Sequence, residues 1–281
     1  MDWITGERFE TLADYVYAPS IRAKDDYNGL KNTLLVSALK ENDIIYTHTM
    51  YAKQLFEILK EVKVKIILIT HNSDMNVDRS FEIPFCVKKW FTQNVNCEDY
   101  FIESIPIGLE NSRWFQKEHK KEKMEMLLLQ EKDIHNTLLV NFNIETNPKE
   151  RVHAFNIFKD KVWATCKCSK NGFDFSSYIW NVYNHQFVLC PAGNGIDTHR
   201  TWEALYMKSI PIEKRTHNNF FYRHLPICFV DEWEEITPEF LKQEYKRIKS
   251  CKDWNLNMLD FVYWKIKILS FKYENSSFSI A

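Results

Sequence analysis

Two glycines and an arginine lie close together near residue 200, in an order that suits the binding of a phosphate. The chain has only six glycines, and two of them, Gly193 and Gly195, follow an apolar run and precede a helical pattern. Glycine permits positive φ angles and lets a ligand approach the backbone closely. Arg200 lies in the first turn of the predicted helix, where free amides and the helix dipole attract anions. The pattern therefore predicts an anion site with the guanidinium of Arg200 on a phosphate.

The same segment offers further polar groups. Asp197 and Thr198 are good N-cap residues for the predicted helix. Glu203, one turn after Arg200, has a carboxylate that can accept hydrogen bonds from ribose hydroxyl groups. A surface ion pair between Arg200 and Glu203 is the alternative interpretation. The ligand candidates of this segment are Gly193, Asn194, Gly195, Asp197, Thr198, His199, Arg200 and Glu203.

Polar residues after two other predicted strands are candidates for proton transfer. His71 and Asp74 follow a predicted strand at residues 65–70, and either can serve as a general base. A turn is the alternative for this loop, because Asn, Ser and Asp are common turn residues. His48 follows a predicted strand at residues 43–47 and is the third candidate, on the acceptor side.

Three more residues lie where a strand or a lobe is predicted to end. Asn143 and Arg151 follow the first strand of the second half, which makes Arg151 a second candidate for a diphosphate. The alternative for Arg151 is a surface position in the first turn of a helix. Glu110 precedes the predicted boundary between the halves, where it either lines the acceptor side or closes a turn.

The elements that must position these residues alternate between short apolar runs and helical patterns. Apolar runs of four to eight residues are typical of strands that are buried on both faces of a parallel sheet. Alternation of strands and helices predicts an α/β protein. The predicted strands are residues 43–47, 65–70, 100–107, 137–143, 161–165, 186–190, 209–212 and 227–230, and the predicted helices are residues 51–61, 175–184, 200–208 and 238–248.

Two strand sets predict two Rossmann-like lobes that face a central cleft. Residues 1–130 form the predicted N-terminal, acceptor-side lobe, and residues 131–255 form the nucleotide-binding lobe. The amphipathic stretch 256–271, within a C-terminal element of residues 256–281, is expected to pack back on the first lobe. Open α/β sheets bind ligands beyond the carboxyl ends of their strands, where the candidate residues lie.

Residues 187–212 read FVLCPAGNGIDTHRTWEALYMKSIPI. This segment resembles the C-terminal signature of exostosin-like glycosyltransferases, in which a strand, a glycine loop, Arg, Trp-Glu and Ile-Pro occur in this order. Ser209 stands where the family has glycine. Residues 70–74, 90–94, 105–111 and 141–143 are similar to short members encoded by large DNA viruses of algae, of the chlorovirus type.

The resemblance implies the two-lobed GT-B fold and metal-independent, inverting transfer of a sugar from a UDP-sugar to a glycan or glycoprotein acceptor. For the viral relatives it implies xylose as the sugar and the host cytoplasm as the location. The chain contains no Asp-x-Asp, the usual arrangement for holding a divalent cation on a donor diphosphate. No cofactor is therefore expected besides the UDP-sugar substrate, and no metal.

The composition of the chain limits the classes of binding partner that we expect. With 37 basic and 38 acidic residues, the total charge gives no reason to expect nucleic acid as a partner. No apolar stretch approaches the roughly 20 residues that span a bilayer, so we expect no integral membrane segment and a soluble, cytoplasmic protein. The seven cysteines lack the spacing of a zinc site or a disulfide framework.

Two other functions fit part of the pattern. A non-catalytic module that binds a nucleotide or a glycan would keep the fold without turnover. A sulfotransferase or phosphotransferase would also bind an anion, but such enzymes usually place a phosphate loop with Lys after their first strand. The loop of this chain comes late and has no Lys, which argues against that class.

Overall fold

The computed structural model describes residues 2–19, 30–115, 119–132, 134, 136–168 and 174–273. The strands within these residues are β1 (Tyr15–Val16), β2 (Asp43–His48), β3 (Ile66–His71), β4 (Val87–Thr92), β5 (Ile102–Ser104), β6 (Asn136–Val140), β7 (Ala164–Cys166), β8 (His185–Leu189), β9 (Ile210–Lys214) and β10 (Cys228–Val230). The α-helices are α1 (Gly6–Glu10), α2 (Ala52–Leu59), α3 (Ser112–Phe115), α4 (Lys120–Leu128), α5 (Pro148–Phe158), α6 (Phe175–Tyr183), α7 (His199–Tyr206), α8 (His217–Phe220), α9 (Pro238–Ser250) and α10 (Phe261–Tyr273).

The chain divides into two compact units, each built on a five-stranded sheet. The first unit comprises Met1–Ile107 and Asp260–Ala281, and the second comprises Gly108–Leu259. The first sheet has the order β1-β2-β3-β4-β5 and the second β10-β9-β8-β6-β7. The strand pairs in both sheets are parallel. The predicted α/β class with two parallel sheets is confirmed.

The first unit contains the long C-terminal helix. Strand β3 is buried along its whole length, including Thr70 and His71 after its four apolar residues 66–69. Helix α10 packs onto this unit: the Phe271 ring meets the Phe91 ring edge to face at 5.5 Å, and Lys272 forms an ion pair with Asp14. The prediction that the C-terminal element packs back on the first unit is therefore confirmed for residues 260–273, whereas residues 256–259 belong to the second unit and residues 274–281 lie outside the described residues.

The second unit places α7 directly after β8. Trp202, Leu205 and Tyr206 on α7 are between 0% and 4% exposed, as the apolar face of this helix predicts. The Trp202 ring meets the Tyr222 ring edge to face at 5.1 Å. Because this face is fixed in the core, the first turn of α7 has a defined position at the carboxyl end of β8.

Several elements differ from the sequence-based prediction. Strand β4 was not predicted, because Lys88 and Lys89 interrupt its apolar pattern, yet both are half-buried in the structure. Helix α5 was not predicted either. The predicted strand at residues 100–107 is only Ile102–Ser104. The first unit ends at Ile107, earlier than the predicted boundary near residue 130. Among the described residues, no helix combines the length and apolar character needed to cross a bilayer.

Candidate functional site

The glycine loop lies at the carboxyl end of the second sheet. It connects β8 to α7 and lies beside the segment that follows β6, because β6 and β8 are neighbouring strands. At the start of α7 the amides of His199 and Arg200 have no partner within the helix, whereas the amide of Thr201 donates to the backbone oxygen of Thr198 at 3.1 Å. Thr198 is the N-cap residue, but its side chain makes no capping hydrogen bond. The two loops and the helix start therefore form the part of the unit in which an anion would be stabilised.

Arg200 has free donors at this position. Its Nε donates to the backbone oxygen of Asn141 at 2.9 Å. The guanidinium carbon lies 5.8 Å from the ring centre of Phe142 and 6.0 Å from that of Tyr178. Among the described residues, the terminal nitrogens of Arg200 have no hydrogen-bond partner and no carboxylate in ion-pair contact. One edge of the guanidinium is fixed and the other can bind a phosphate.

Arg151 is placed differently from both sequence-based interpretations. It is 5% exposed, and its guanidinium donates to backbone oxygens on two loops: Ala192 at 3.0 Å, Asn143 at 2.8 Å and Pro191 at 3.4 Å. It also bonds to the hydroxyl of Thr146. Burial, and secondarily the charge of Arg200, lower the pKa of Arg151 to about 10. Arg151 is thus neither a surface residue nor an open phosphate ligand; it joins the two loops.

Gly193 is needed for a reason that the sequence did not indicate. Among the described glycines, Gly108 has a positive φ angle, whereas Gly193 and Gly195 do not. A Cβ at Gly193 would instead lie 2.8 Å from Nη2 of Arg151. The loop is closed by a bond from the amide of Gly193 to the oxygen of Gly195 at 2.9 Å. Close approach of the buried arginine explains the glycine here.

Glu203 is buried behind Arg200. It is 7% exposed, and its Oε2 accepts a hydrogen bond of 2.6 Å from the phenol of Tyr178. Burial raises the pKa of Glu203, while Tyr178, His199 and Arg200 act in the opposite direction. The alternative of a surface ion pair between Arg200 and Glu203 does not describe this carboxylate, which is inside the unit.

The remaining candidates of the segment differ in accessibility. Asp197 is 6% exposed, and its Oδ1 accepts from the indole of Trp202 at 2.9 Å, which is a structural contact. His199 donates from Nδ1 to the oxygen of Gly108 at 2.7 Å, because a carbonyl can only accept. Asn194 is exposed at the tip of the loop.

Two candidates outside the segment serve local structure through their side chains. The Oδ1 of Asn143 accepts from the amide of Glu145 at 2.9 Å and caps a short 3₁₀ turn. Glu110 forms an ion pair of 2.6 Å with Lys120 at the start of α4. Both lie in the second unit, so Glu110 does not belong to the N-terminal lobe in which the sequence placed it.

The three candidates of the first unit lie at the carboxyl ends of the neighbouring strands β2 and β3, of which His48 and His71 are the last residues. His71 is 0% exposed; its Nε2 donates to the oxygen of Pro106 at 3.0 Å, and its Nδ1 lies 3.1 Å from Oδ1 of Asn72. His48 pairs in register with His71 and is 4% exposed. Asp74 is exposed in the loop after β3. A general base must reach its substrate hydroxyl, and of the three only Asp74 is open to solvent.

Sequence reasoning gave no ligand role to two residues beside Arg200. Asn141 is 2% exposed and holds Arg200 through its backbone oxygen. Tyr178 lies on the predicted helix at residues 175–184, and its hydroxyl is bonded to Glu203. No local pattern marks either residue, because both contacts join distant parts of the chain. Within the described residues, no group of three or more His, Cys, Asp and Glu side chains is arranged to hold a metal ion.

No protein-family model matches this chain, and no curated protein matches it. Among solved structures, the chain is similar to a UDP-forming α,α-trehalose-phosphate synthase from Burkholderia xenovorans, with 10% identity and a TM-score of 0.49 over 86% of this chain and 76% of that chain. It is also similar to the N-terminal domain of trehalose-6-phosphate phosphatase from Candida albicans, with 12% identity and a TM-score of 0.40 over 84% and 71%. These likenesses assign no residue roles, so the side chains of the two units must indicate the function.

Proposed function

We propose that the chain is a metal-independent, inverting glycosyltransferase that uses a UDP-sugar. The observation that carries the proposal is Arg200, whose terminal nitrogens lack a partner among the described residues at the first turn of α7. Its Nε is fixed on Asn141 at 2.9 Å, so the donors are already oriented before a ligand arrives. A preorganised guanidinium beside free helix amides stabilises a diphosphate more strongly than flexible surface cations do.

In this proposal the leaving group is UDP. The oxygen of the acceptor hydroxyl attacks the anomeric carbon of the sugar, the bond from that carbon to the diphosphate oxygen breaks, and a base takes the hydroxyl proton. Negative charge grows on the diphosphate during this step. Arg200 and the amides of α7 would stabilise that charge without a divalent cation.

Glu203 would bind the ribose of the nucleotide. A buried carboxylate that accepts from Tyr178 has further lone pairs for ribose hydroxyls. His199 and Asn194 would contact the donor. The side chain of Asp197 is engaged with Trp202 instead. Arg151 would act indirectly, by holding the loop that contains Gly193.

Asp74 is the better candidate for the base. It is exposed after β3, whereas the two nitrogens of His71 are engaged inside the first unit. The resemblance to exostosin-like and viral enzymes supports a glycan or glycoprotein acceptor, xylose as the transferred sugar and a cytoplasmic location. Those finer assignments depend on the resemblance alone.

The decisive experiment is a thermal and chemical unfolding series with UDP, GDP and pyrophosphate in the presence of EDTA. A ligand at about 100 times its Kd should raise the free energy of unfolding by about 2.7 kcal/mol. We expect stabilisation by UDP without metal, and its loss in Arg200→Ala. The absence of any shift with all three ligands would exclude a nucleotide site.

A binding module without turnover is the second candidate, favoured by the burial of His71. Release of UDP from a panel of UDP-sugars separates the two functions. An enzyme should release UDP and lose about 100-fold or more in rate when Asp74 becomes Asn, because a general base typically contributes that much. Nucleotide binding without release from any of the sugars would favour the binding module.

A further inference from the structure

Asn141 has a buried polar group without a partner. It follows β6 directly and is 2% exposed, and among the described residues its Oδ1 has no hydrogen-bond partner. An unpaired buried acceptor is unfavourable, and buried polar side chains in native proteins usually have a partner.

The location of Asn141 connects this group to the anion site. Its backbone oxygen accepts from Nε of Arg200 at 2.9 Å. A second buried oxygen without a partner in the described chain, Oγ1 of Thr198, belongs to the N-cap residue of α7. Cγ2 of Thr198 lies 3.9 Å from the position of a Cβ on Gly193. Two buried side-chain oxygens without partners in the described chain thus belong to the two loops of the site, one directly after β6 and one directly before α7.

We propose that the side chain of Asn141 accepts a hydrogen bond from a hydroxyl group of the ligand whose phosphate binds Arg200. This inference rests on the proposed function, since it takes the phosphate at Arg200 from it. In a phosphorylated polyol, hydroxyl groups lie on carbons beyond the phosphoryl group, whereas inorganic phosphate and pyrophosphate have no hydroxyl groups outside their phosphoryl groups. The site thus selects nucleotides or nucleotide sugars over inorganic phosphate and pyrophosphate.

The hydroxyl has two possible sources in a nucleotide sugar, the ribose and the transferred sugar. Pyrophosphate has neither, UDP has only the ribose, and UDP-glucose has both. Affinities for these three probes therefore locate the hydroxyl. The variant Asn141→Ala removes the side chain and keeps the backbone oxygen that fixes Arg200.

We expect the free energy of unfolding of ligand-free Asn141→Ala to equal or exceed that of the wild type, because the group removed is unsatisfied. By calorimetry, its Kd for pyrophosphate should stay within about twofold of the wild type. If Asn141 accepts from a ribose hydroxyl, the Kd of the variant for UDP should rise about tenfold, as for one lost hydrogen bond. If the sugar hydroxyl is read, only the Kd for UDP-glucose should rise.

Thr237→Ala is the matched control. Its hydroxyl caps α9 by accepting from the amide of Phe240 at 3.1 Å, so the variant should lose stability and keep all three affinities. Unchanged affinities in Asn141→Ala, or an equal loss for pyrophosphate, would overturn the inference. So would destabilisation as large as in the control with no selective loss, since an ordered water would then satisfy Asn141. A wild type that binds none of the probes overturns the proposed function first, and the inference with it.

Discussion

The phenolic oxygen of Tyr178 lies 2.6 Å from Oε2 of Glu203, and this bond is buried. Helix α6 thereby supplies the hydrogen-bond donor for a carboxylate on α7. The two helices are separated in the sequence by β8. Burial raises the pKa of Glu203, and the bond from Tyr178 opposes that rise. A carboxylate that is both desolvated and oriented can recognise the hydroxyl groups of a ligand. A ligand without these groups binds much more weakly, because the carboxylate then stays buried without a donor.

Replacing Tyr178 by Phe should show how much the hydrogen bond to Glu203 contributes to stability. At pH 7 we expect the free energy of unfolding to fall by about 1–3 kcal/mol, because a buried carboxylate loses its donor. The loss should shrink as the pH falls through the raised pKa of Glu203, since a protonated carboxyl is less costly to bury. Urea unfolding at pH 5 and pH 7 measures both values.

Tyr183→Phe is the control on the same helix. Its hydroxyl donates to the backbone oxygen of Gln130 at 2.8 Å, a bond between neutral groups. Its removal should cost about 0.5–1.5 kcal/mol at both pH values. Equal pH dependence in the two variants would contradict the assignment of a charged partner to Tyr178.

Gly193→Ala should destabilise the second unit through Arg151. The added methyl would lie 2.8 Å from Nη2, and the guanidinium is held by several bonds and cannot move freely. Overpacking of this kind costs about 1–3 kcal/mol. In an Arg151→Met background the same substitution should cost less, so a double-mutant cycle of unfolding free energies should show coupling. Additive effects would mean that the loop, not Arg151, sets the need for glycine.

Replacing Arg200 should weaken UDP binding, whereas replacing Arg151 should lower the stability of the fold. Arg200→Ala should change the free energy of unfolding by less than about 1 kcal/mol and raise the Kd for UDP by tenfold or more, because hydrogen bonds to charged groups contribute about 1.5–3 kcal/mol. Arg151→Met should lower the free energy of unfolding by more than about 3 kcal/mol, because the backbone oxygens of Asn143, Pro191 and Ala192 lose their charged donor. Calorimetry with UDP and urea unfolding separate these outcomes. Equal loss of stability in both variants would show that Arg200 is also structural.

The sequence was sufficient for the elements whose pattern is local. Strand β3 begins with four apolar residues and α7 has one apolar face, so both could be located, together with the loop between β8 and α7. Strand β4 could not, because its lysines look like solvent-facing residues until other elements surround them. Local pattern thus identified the frame of the candidate site.

The roles of individual side chains depended on contacts between distant residues. Arg151 was expected to be open to a ligand or to solvent, but it bonds to backbone oxygens about forty positions later, at Pro191 and Ala192. His71 was a candidate base, and the oxygen of Pro106 holds it inside the first unit. Spacing along one helix or strand carries no information on such partners. The burial of Arg151 and His71, and with it their structural role, therefore could not be predicted from the sequence.

The burial of Lys132 can be tested through the pH dependence of the free energy of unfolding. Lys132 donates to the oxygen of Met207 at 2.8 Å and to Oγ of Ser209 at 2.9 Å, just after α7. Burial, followed by the charges of Lys249 and Lys208, lowers the pKa of Lys132 to about 7. In the unfolded chain a lysine has a pKa of about 10.4. Between these values the unfolded state binds more protons, so the free energy of unfolding must rise with pH.

We expect this rise to reach about 1.4 kcal/mol per pH unit above pH 7 and to vanish below it, where both states are protonated. In Lys132→Met the contribution should be absent, so the difference between wild type and variant should grow from pH 7 to pH 9.5. Urea unfolding across this range measures it, and titration of other groups cancels in the difference. Lys242→Met, at an exposed position of α9, should leave the slope unchanged. Parallel curves for wild type and Lys132→Met would mean that the buried ammonium stays protonated in the folded state throughout the range.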